Sequence, residues 1–411
     1  MSAVGTADPR PSQSGAMGKL TCMQTTNSWD ALSGQYQLQP GNWPGIVGQR
    51  PVLGAGRLGR LLQGQRGEQV GRTLSSVFTL CAHAHRHCAA LALGAAQAAQ
   101  AEPAQPAPVQ PAPVQPAPVL LYLETARDHL RSIALDWPQR LPELGLAAQR
   151  MDWLRGCPLA LAGTHPVTDD DAAWQALGAL RNWLETSVLK QDALSWLQGC
   201  RVADVLAQWC QAQADRPLPA RCLSEWHPLA HTLRPPLRAL DVLSDDAMRQ
   251  EAGLHQIGHA LAQGADFAQH PIWLGKPAET GAWTRLRHRQ QQTAHSAWTR
   301  MSARWLELVE LASVDPGLAG QGRAPLLASG ALHLADGQAL AWCEMARGLL
   351  LHWVQLDAEG AVHDYRVLAP TEWNFHPEGA LACAVAALPA DALSAARTLA
   401  AAYDPCVLCT V

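Results

Sequence analysis

The chain has 411 residues, 48% of them hydrophobic and only 16% charged, which allows a large core and excludes a disordered or highly charged protein. Lys plus Arg total 31 against 35 acidic residues, a net charge of −4, so nucleic acid is excluded as the main partner. The longest apolar stretches, such as Gly379 to Leu388, are shorter than the ~20 residues a membrane helix needs. The N-terminus MSAVGTADPRPSQSG lacks the basic-then-apolar order of a secretory signal. These features point to a soluble cytoplasmic protein without membrane insertion.

Residues 1–40 are rich in Gly, Ser, Gln and Pro and are expected to be partly mobile. Residues 41–98 begin the folded body, with a helical stretch expected from about Leu74 to Ala99. It carries the cluster Cys81-Ala82-His83-Ala84-His85-Arg86-His87-Cys88. On a helix Cys81, His85 and Cys88 share one face, and His83 and His87 share another; most of these side chains are equally at home as core or surface residues of an Ala-rich helix. Residues 99–119 contain PAPVQPAPVQPAPV, where proline at that density favours an extended, semi-rigid spacer rather than a helix.

The remainder, 120–411, divides by its period. To about Ala312 the pattern is helical, with Trp174, Leu177, Leu180, Leu184 and Val188 spaced by three and four after an acidic start at Asp169 to Asp171. His255 and His259 lie four apart like a metal pair, but no HExxH arrangement accompanies them. From about Leu326 the pattern turns to strands. Leu349, Leu351 and Trp353, then Val362 to Leu368 after Asp357-Ala358-Glu359-Gly360, predict a β-hairpin. A helix is expected over about Glu378 to Ala401. The fold class read from these periods is α+β, predominantly α-helical, with a small antiparallel sheet near the C-terminus.

Eleven cysteines in so long a chain do not resemble a disulfide framework. The sharpest chemical signal is the terminal Cys406-Val407-Leu408-Cys409. Two thiolates three apart can chelate one metal or bridge two, although zinc sites and redox motifs use the same spacing. The chain contains no second CxxC.

The ending DPCVLC is similar to the C-terminal signature of nickel–iron hydrogenase large subunits. Four further segments agree with that family in order: Leu62-Gln63-Gly64 with Cys81 and His85, Asp128-His129-Leu130 with Ala134-Leu135-Asp136-Trp137, Gly275-Lys276-Pro277-Ala278-Glu279-Thr280-Gly281 with Arg285, and Ala346-Arg347-Gly348 with Pro370-Thr371-Glu372-Trp373-Asn374. The resemblance spans roughly Arg57 to Val411 and supplies the expected topology.

In that family four cysteines hold nickel and iron, and the resemblance implies a role for each residue here. Cys81 and Cys409 would stand at the two positions that bridge the metals and Cys406 at a terminal nickel position. Phe78 falls where the other nickel ligand belongs. His85 resembles the donor to a bridging sulfur, Arg347 the guanidinium over the diatomic ligands, and Pro370 with Thr371 the cradle for cyanide. The upstream Gly56-Arg57-Leu58-Gly59 lacks the family's proton-moving carboxylate, and the sequence stops two residues after Cys409 without the family's processed extension. This pattern resembles the HupK/HoxV-type hydrogenase expression and formation proteins. The implied function is a non-catalytic maturation scaffold that transiently holds an Fe(CN)2(CO) group, with nickel not expected. The implied partners are a small maturation chaperone with its iron–sulfur partner, and the hydrogenase large-subunit precursor. Two other readings remain open on the residues: a large-subunit homologue with residual oxidoreductase activity, and a zinc-stapled interaction module using Cys406, Cys409 and helix histidines.

Overall fold

The computed structural model describes residues 34–51, 53, 56–101, 115–140, 142, 152–159, 167, 169–213, 217–243, 246–290, 295–316 and 325–411. The mobility expected of residues 1–33 and most of the PAPVQ spacer lie outside the described residues. Two edges of those segments are ordered. Gln35–Leu38, expected within the partly mobile 1–40, forms a strand, β1, with Leu38 buried. The helix before the spacer runs through Ala101, and Gln115–Pro116 forms a short strand, β3.

Helix α1 (Glu68–Val77) stops because Phe78 takes φ −112° and ψ 66°, outside the helical region, while its N–H still bonds Leu74 O at 2.8 Å. A 3₁₀ turn, Thr79–Cys81, then leads into α2 (Ala82–Ala101). The continuous helix expected from Leu74 is therefore two helices, and Cys81 sits at their junction rather than on a helix face. Helix α3 (Val119–Arg131) runs on into a π-helical turn, Ser132–Asp136, a wide turn that recurs near functional sites. Helix α4 (Asp170–Trp183) starts as its acidic sequence predicts, with Asp169 accepting the Ala172 N–H at 2.8 Å. Its Leu177 and Leu180 are buried, as are Leu184 and Val188 just beyond. Helix α5 (Ala297–Ala312) is buried on every side and forms the axis of the main core.

The larger sheet has the order β3-β4-β5-β6-β7 and is antiparallel throughout, with β2 (Ile46–Gln49) reserved for a second sheet and β4 (Ala328–Ala335), β5 (Gln338–Met345), β6 (Gly348–Leu356) and β7 (Val362–Leu368) in succession. The expected hairpin is β6 and β7, with Leu351 opposite Leu368. Alternate side chains enter two separate cores: Ala339, Ala341 and Cys343 join the one containing α2 and α5, while Leu340 and Trp342 join a smaller one with Leu254 and Ile257. Burial on both faces erases the polar alternation that would have marked β5 in the sequence.

The second sheet has the order β2-β1-β8. Here β8 (Leu408–Thr410) lies parallel to β1, with Cys409 opposite Tyr36. After β7 come α6 (Pro370–Asn374), α7 (Ala380–Ala386) and α8 (Leu393–Tyr403). The single helix expected over 378–401 is broken near Pro389, which lacks an amide donor and cannot continue a helix. No described helix is long and apolar enough to cross a membrane.

Candidate functional site

Four chain breaks converge on one place. The α1–α2 junction carries Cys81, and the β5–β6 turn carries Arg347. The first turn of α6 carries Pro370 and Thr371, both buried. Asp404, left-handed at φ 48° and ψ 67°, ends α8 and turns the chain toward Cys406. Local sequence explains the geometry: Pro370 suits the first helical position, and an Asp is one of the few side chains that tolerates the left-handed region.

Thr371 Oγ1 lies 3.1 Å from Cys406 Sγ, a hydroxyl–thiol hydrogen bond. Arg347 is buried and donates from Nη1 to Asp128 Oδ2 at 2.9 Å, with Nε 3.4 Å from Asp404 Oδ2. Asp404 in turn accepts from Ser132 Oγ at 2.7 Å, on the π-helical turn. The Arg347 Nε–H makes no hydrogen bond. Burial works against the Arg347 charge, but Asp128, Asp404, Cys406 and Cys81 more than reverse this and hold it firmly protonated.

Burial pushes the Cys81 thiol well above its ordinary range; Glu124 and Cys406 add to the rise and Arg347 opposes it. Glu124 accepts the amides of His83 and Ala84 at 2.8 and 2.9 Å, and so caps the start of α2 next to Cys81. Burial, reinforced by Asp128, raises Glu124 to about 8. Cys409 lies apart, lining a cleft with Arg140, Arg397 and Leu408. Burial raises its thiol to about 11, with Arg140 the opposing charge.

Cys406 bears electrostatically on the Cys81 thiol. Cys409, expected with Cys81 at the bridging positions, lies in β8, where pairing with β1 begins at Leu408 and sets Cys409 opposite Tyr36. His85 Nδ1 meets His352 Nε2 at 3.0 Å, and His352 Nδ1 meets the Tyr365 hydroxyl at 2.7 Å. Burial lowers both imidazoles, His352 to about 3 and His85 well below its usual value, so this buried chain is neutral. Phe78 stacks on His85 with centroids 4.0 Å apart.

The other sequence candidates stay outside the site. Cys88 is buried beside Cys343, and His255 pairs with Glu251 at 3.8 Å. Among the described residues no three His, Cys, Asp or Glu side chains converge as metal ligands. The sequence reading missed Glu124, Asp128 and Asp404 as the charges that fix Arg347 and Cys81, although Asp128 and Asp404 lay within quoted motifs. It also missed Arg50, buried and 3.3 Å from Glu372.

A family model for the nickel-dependent hydrogenases matches residues 328–411, the span that supplies Arg347, Thr371 and Cys406. Over a far greater length, the chain is 39% identical to hydrogenase expression/formation protein HoxV of Cupriavidus necator, covering 93% of this chain and 96% of that protein. The chain belongs to the hydrogenase expression/formation proteins. A second family member, HupK of Azotobacter vinelandii, is 31% identical over 87% of this chain and 91% of its own length. A solved NAD+-reducing [NiFe]-hydrogenase in the H2-reduced state is a looser likeness, with 14% identity, a TM-score of 0.44 and 88% of this chain covered, 91% of the other. Membership of the expression/formation family places this chain's work in hydrogenase maturation.

Proposed function

We propose that this chain is a non-catalytic maturation scaffold that carries the Fe(CN)2(CO) group of nickel–iron hydrogenase as cargo. It receives the group from a small maturation chaperone and its iron–sulfur partner, and passes it to the large-subunit precursor. Family membership supports the maturation role. The observation that carries the cargo assignment is the Thr371–Cys406 contact at 3.1 Å beside a buried Arg347 whose Nε–H, ion-paired with Asp404 at 3.4 Å, completes no hydrogen bond.

The donor set fits such a group. Soft sulfur ligands suit an iron centre that already bears strong-field diatomic ligands. Cyanide nitrogen is an anionic acceptor, and a guanidinium N–H inside the protein is a charge-assisted donor to it. A buried donor without an acceptor costs ~1–3 kcal/mol, which a cyanide acceptor would relieve. Cys409 remains the second C-terminal sulfur, in β8 and lining the Arg140 cleft.

The deciding experiment is an infrared spectrum of protein purified without oxygen from cells containing the maturation machinery, with iron, nickel and zinc counted on the same sample. Cyanide and CO stretching bands with iron and little nickel are expected. A machinery-competent sample with no diatomic bands would overturn the cargo assignment, and the metal count would then separate a zinc module from a metal-free interaction protein.

A further inference from the structure

We propose that Arg304, forked onto the carbonyls of Ala401 and Ala402 at the end of α8, is a positioning residue that presents Cys406 to Thr371. The inference rests on the reading of Cys406 as a cargo ligand and names what holds that sulfur in place.

The need for such a residue comes from the sequence. In a helix the carbonyl of residue i accepts the N–H of residue i+4, so Ala401 O would draw on Pro405, which has no N–H. Ala400 O is still served in that way, by the Asp404 N–H at 3.0 Å. Asp404 then turns left-handed at φ 48°, and the helical path stops before residue 406. Two carbonyls at the negative end of α8 are left for an outside donor. Arg304, buried on α5, supplies it: Nη1 donates to Ala401 O at 2.9 Å and Nη2 to Ala402 O at 2.7 Å. Its Nε lies 4.0 Å from Asp404 Oδ2.

The fork fixes more than the helix end. Asp404 accepts Ser132 Oγ at 2.7 Å, so the last carbonyls and the turning residue are both pinned before the chain enters Pro405. Two residues after Asp404, Cys406 Sγ meets Thr371 Oγ1 at 3.1 Å. Over so short a span a shift of the helix end is passed directly to the sulfur, and a ligand site tolerates only ~0.5 Å of it. Arg304 acts through the backbone rather than as a ligand. Its planar pair of N–H groups suits two adjacent carbonyls, and α5, buried on every side, anchors it. Removing Arg304 strands no carboxylate, because Asp404 keeps Ser132 and faces Arg347 Nε at 3.4 Å.

The test alkylates the full-length, reduced apo-protein with iodoacetamide and follows each cysteine by mass spectrometry, with the half-buried Cys157 and Cys383 as internal references. Arg304→Met should raise the Cys406 rate about tenfold relative to both references, and so should Thr371→Val, which removes the hydroxyl contact. The double variant decides the role. A positioning residue works on that same contact, so Arg304→Met/Thr371→Val should exceed neither single variant by more than about twofold. Effects that multiply to about a hundredfold overturn the proposal, because the two residues would then act independently. An unchanged Cys406 rate in Arg304→Met overturns it too, as does a rise shared by Cys157 and Cys383, which would mean general loosening. Leu177→Ala, a core truncation on α4, lowers stability by another route and should leave the Cys406 ratio at its wild-type value; a matching rise there also overturns the proposal. If Arg304→Met fails to fold by circular dichroism, Arg304→Gln takes its place in the same cycle. The cycle needs no maturation machinery. Infrared silence alongside the expected coupling would sink the cargo assignment alone, and diatomic bands alongside independent effects would sink only the positioning role.

Discussion

Arg300 and Arg347 are both buried, yet they are held in opposite ways. Arg300 forks onto Glu279 with Nε and Nη2 at 2.8 and 2.6 Å, and its Nη1 reaches Ser296 O at 3.0 Å. Its two faces are covered by Trp283 and Tyr403, 4.4 and 5.1 Å from the guanidinium carbon. Arg347 makes one side-chain hydrogen bond, to Asp128 at 2.9 Å, and its Nε faces Asp404 Oδ2 at 3.4 Å as an ion pair without completing a second. A fully satisfied buried guanidinium cements a fold, whereas an under-satisfied one retains capacity for a visitor. On the proposed function, the difference separates the chain's structural core from its cargo site.

The largest expected effect is on the sulfurs. Cys81→Ser or Cys406→Ser should abolish retention of the iron group while leaving the unfolding midpoint within about 1 kcal/mol of wild type, read by iron count and infrared intensity beside a urea titration. Full iron loading in Cys81→Ser would remove that residue from the site. Cys409→Ser should lose less than either, because β8 holds that thiol opposite Tyr36. Equal loss at Cys409 would show that the terminal strand detaches to complete the ligand set.

Next in size is the cement. Glu279→Ala leaves Arg300 buried and unpaired and should cost about 3–5 kcal/mol of stability, seen as a lower urea midpoint at unchanged slope. A sharper form applies one substitution at both places. Arg300→Lys destroys a bidentate fork and should cost about 2 kcal/mol. Arg347→Lys should move stability by less than about 1 kcal/mol yet weaken cargo retention, because a point charge cannot reproduce the planar donor. If the two Lys variants lose the same stability and Arg347→Lys retains its cargo, the distinction between cement and site collapses.

Much of the fold was legible wherever the pattern was local. The Asp169 cap, the Leu177–Val188 spacing and the β6–β7 hairpin all follow from neighbours a few residues apart. The terminal cysteines marked the site for the same reason. What was illegible is set by distant partners. Phe78 reads as one more apolar residue of a helix, and only its φ/ψ shows that the chain turns there to present Cys81. β5 is buried on both faces and lacks alternation, and β1, besides its neighbour β2, pairs with the far end of the chain. Arg50, between Gln49 and Pro51, belongs to no motif; its meaning comes from Glu372 and Phe78.

The smallest effect concerns Glu124, which caps α2 through two amides. Those bonds favour the carboxylate, but burial and Asp128 outweigh them and raise the group to about 8 from an ordinary 4.5. For an acid raised in the folded state, the native protein holds a proton that the unfolded chain has already released. Stability from this group is therefore complete below about pH 4.5 and is lost as pH rises toward 8. Glu124→Gln keeps one amide acceptor and removes the titration. Its stability relative to wild type should climb between pH 5 and pH 8, by up to about 2–3 kcal/mol, measured as paired urea midpoints across that range. A flat difference would mean that the capped carboxylate ionises normally beside Cys81, and the working site would then carry one more fixed negative charge than its under-satisfied arginine is built to balance.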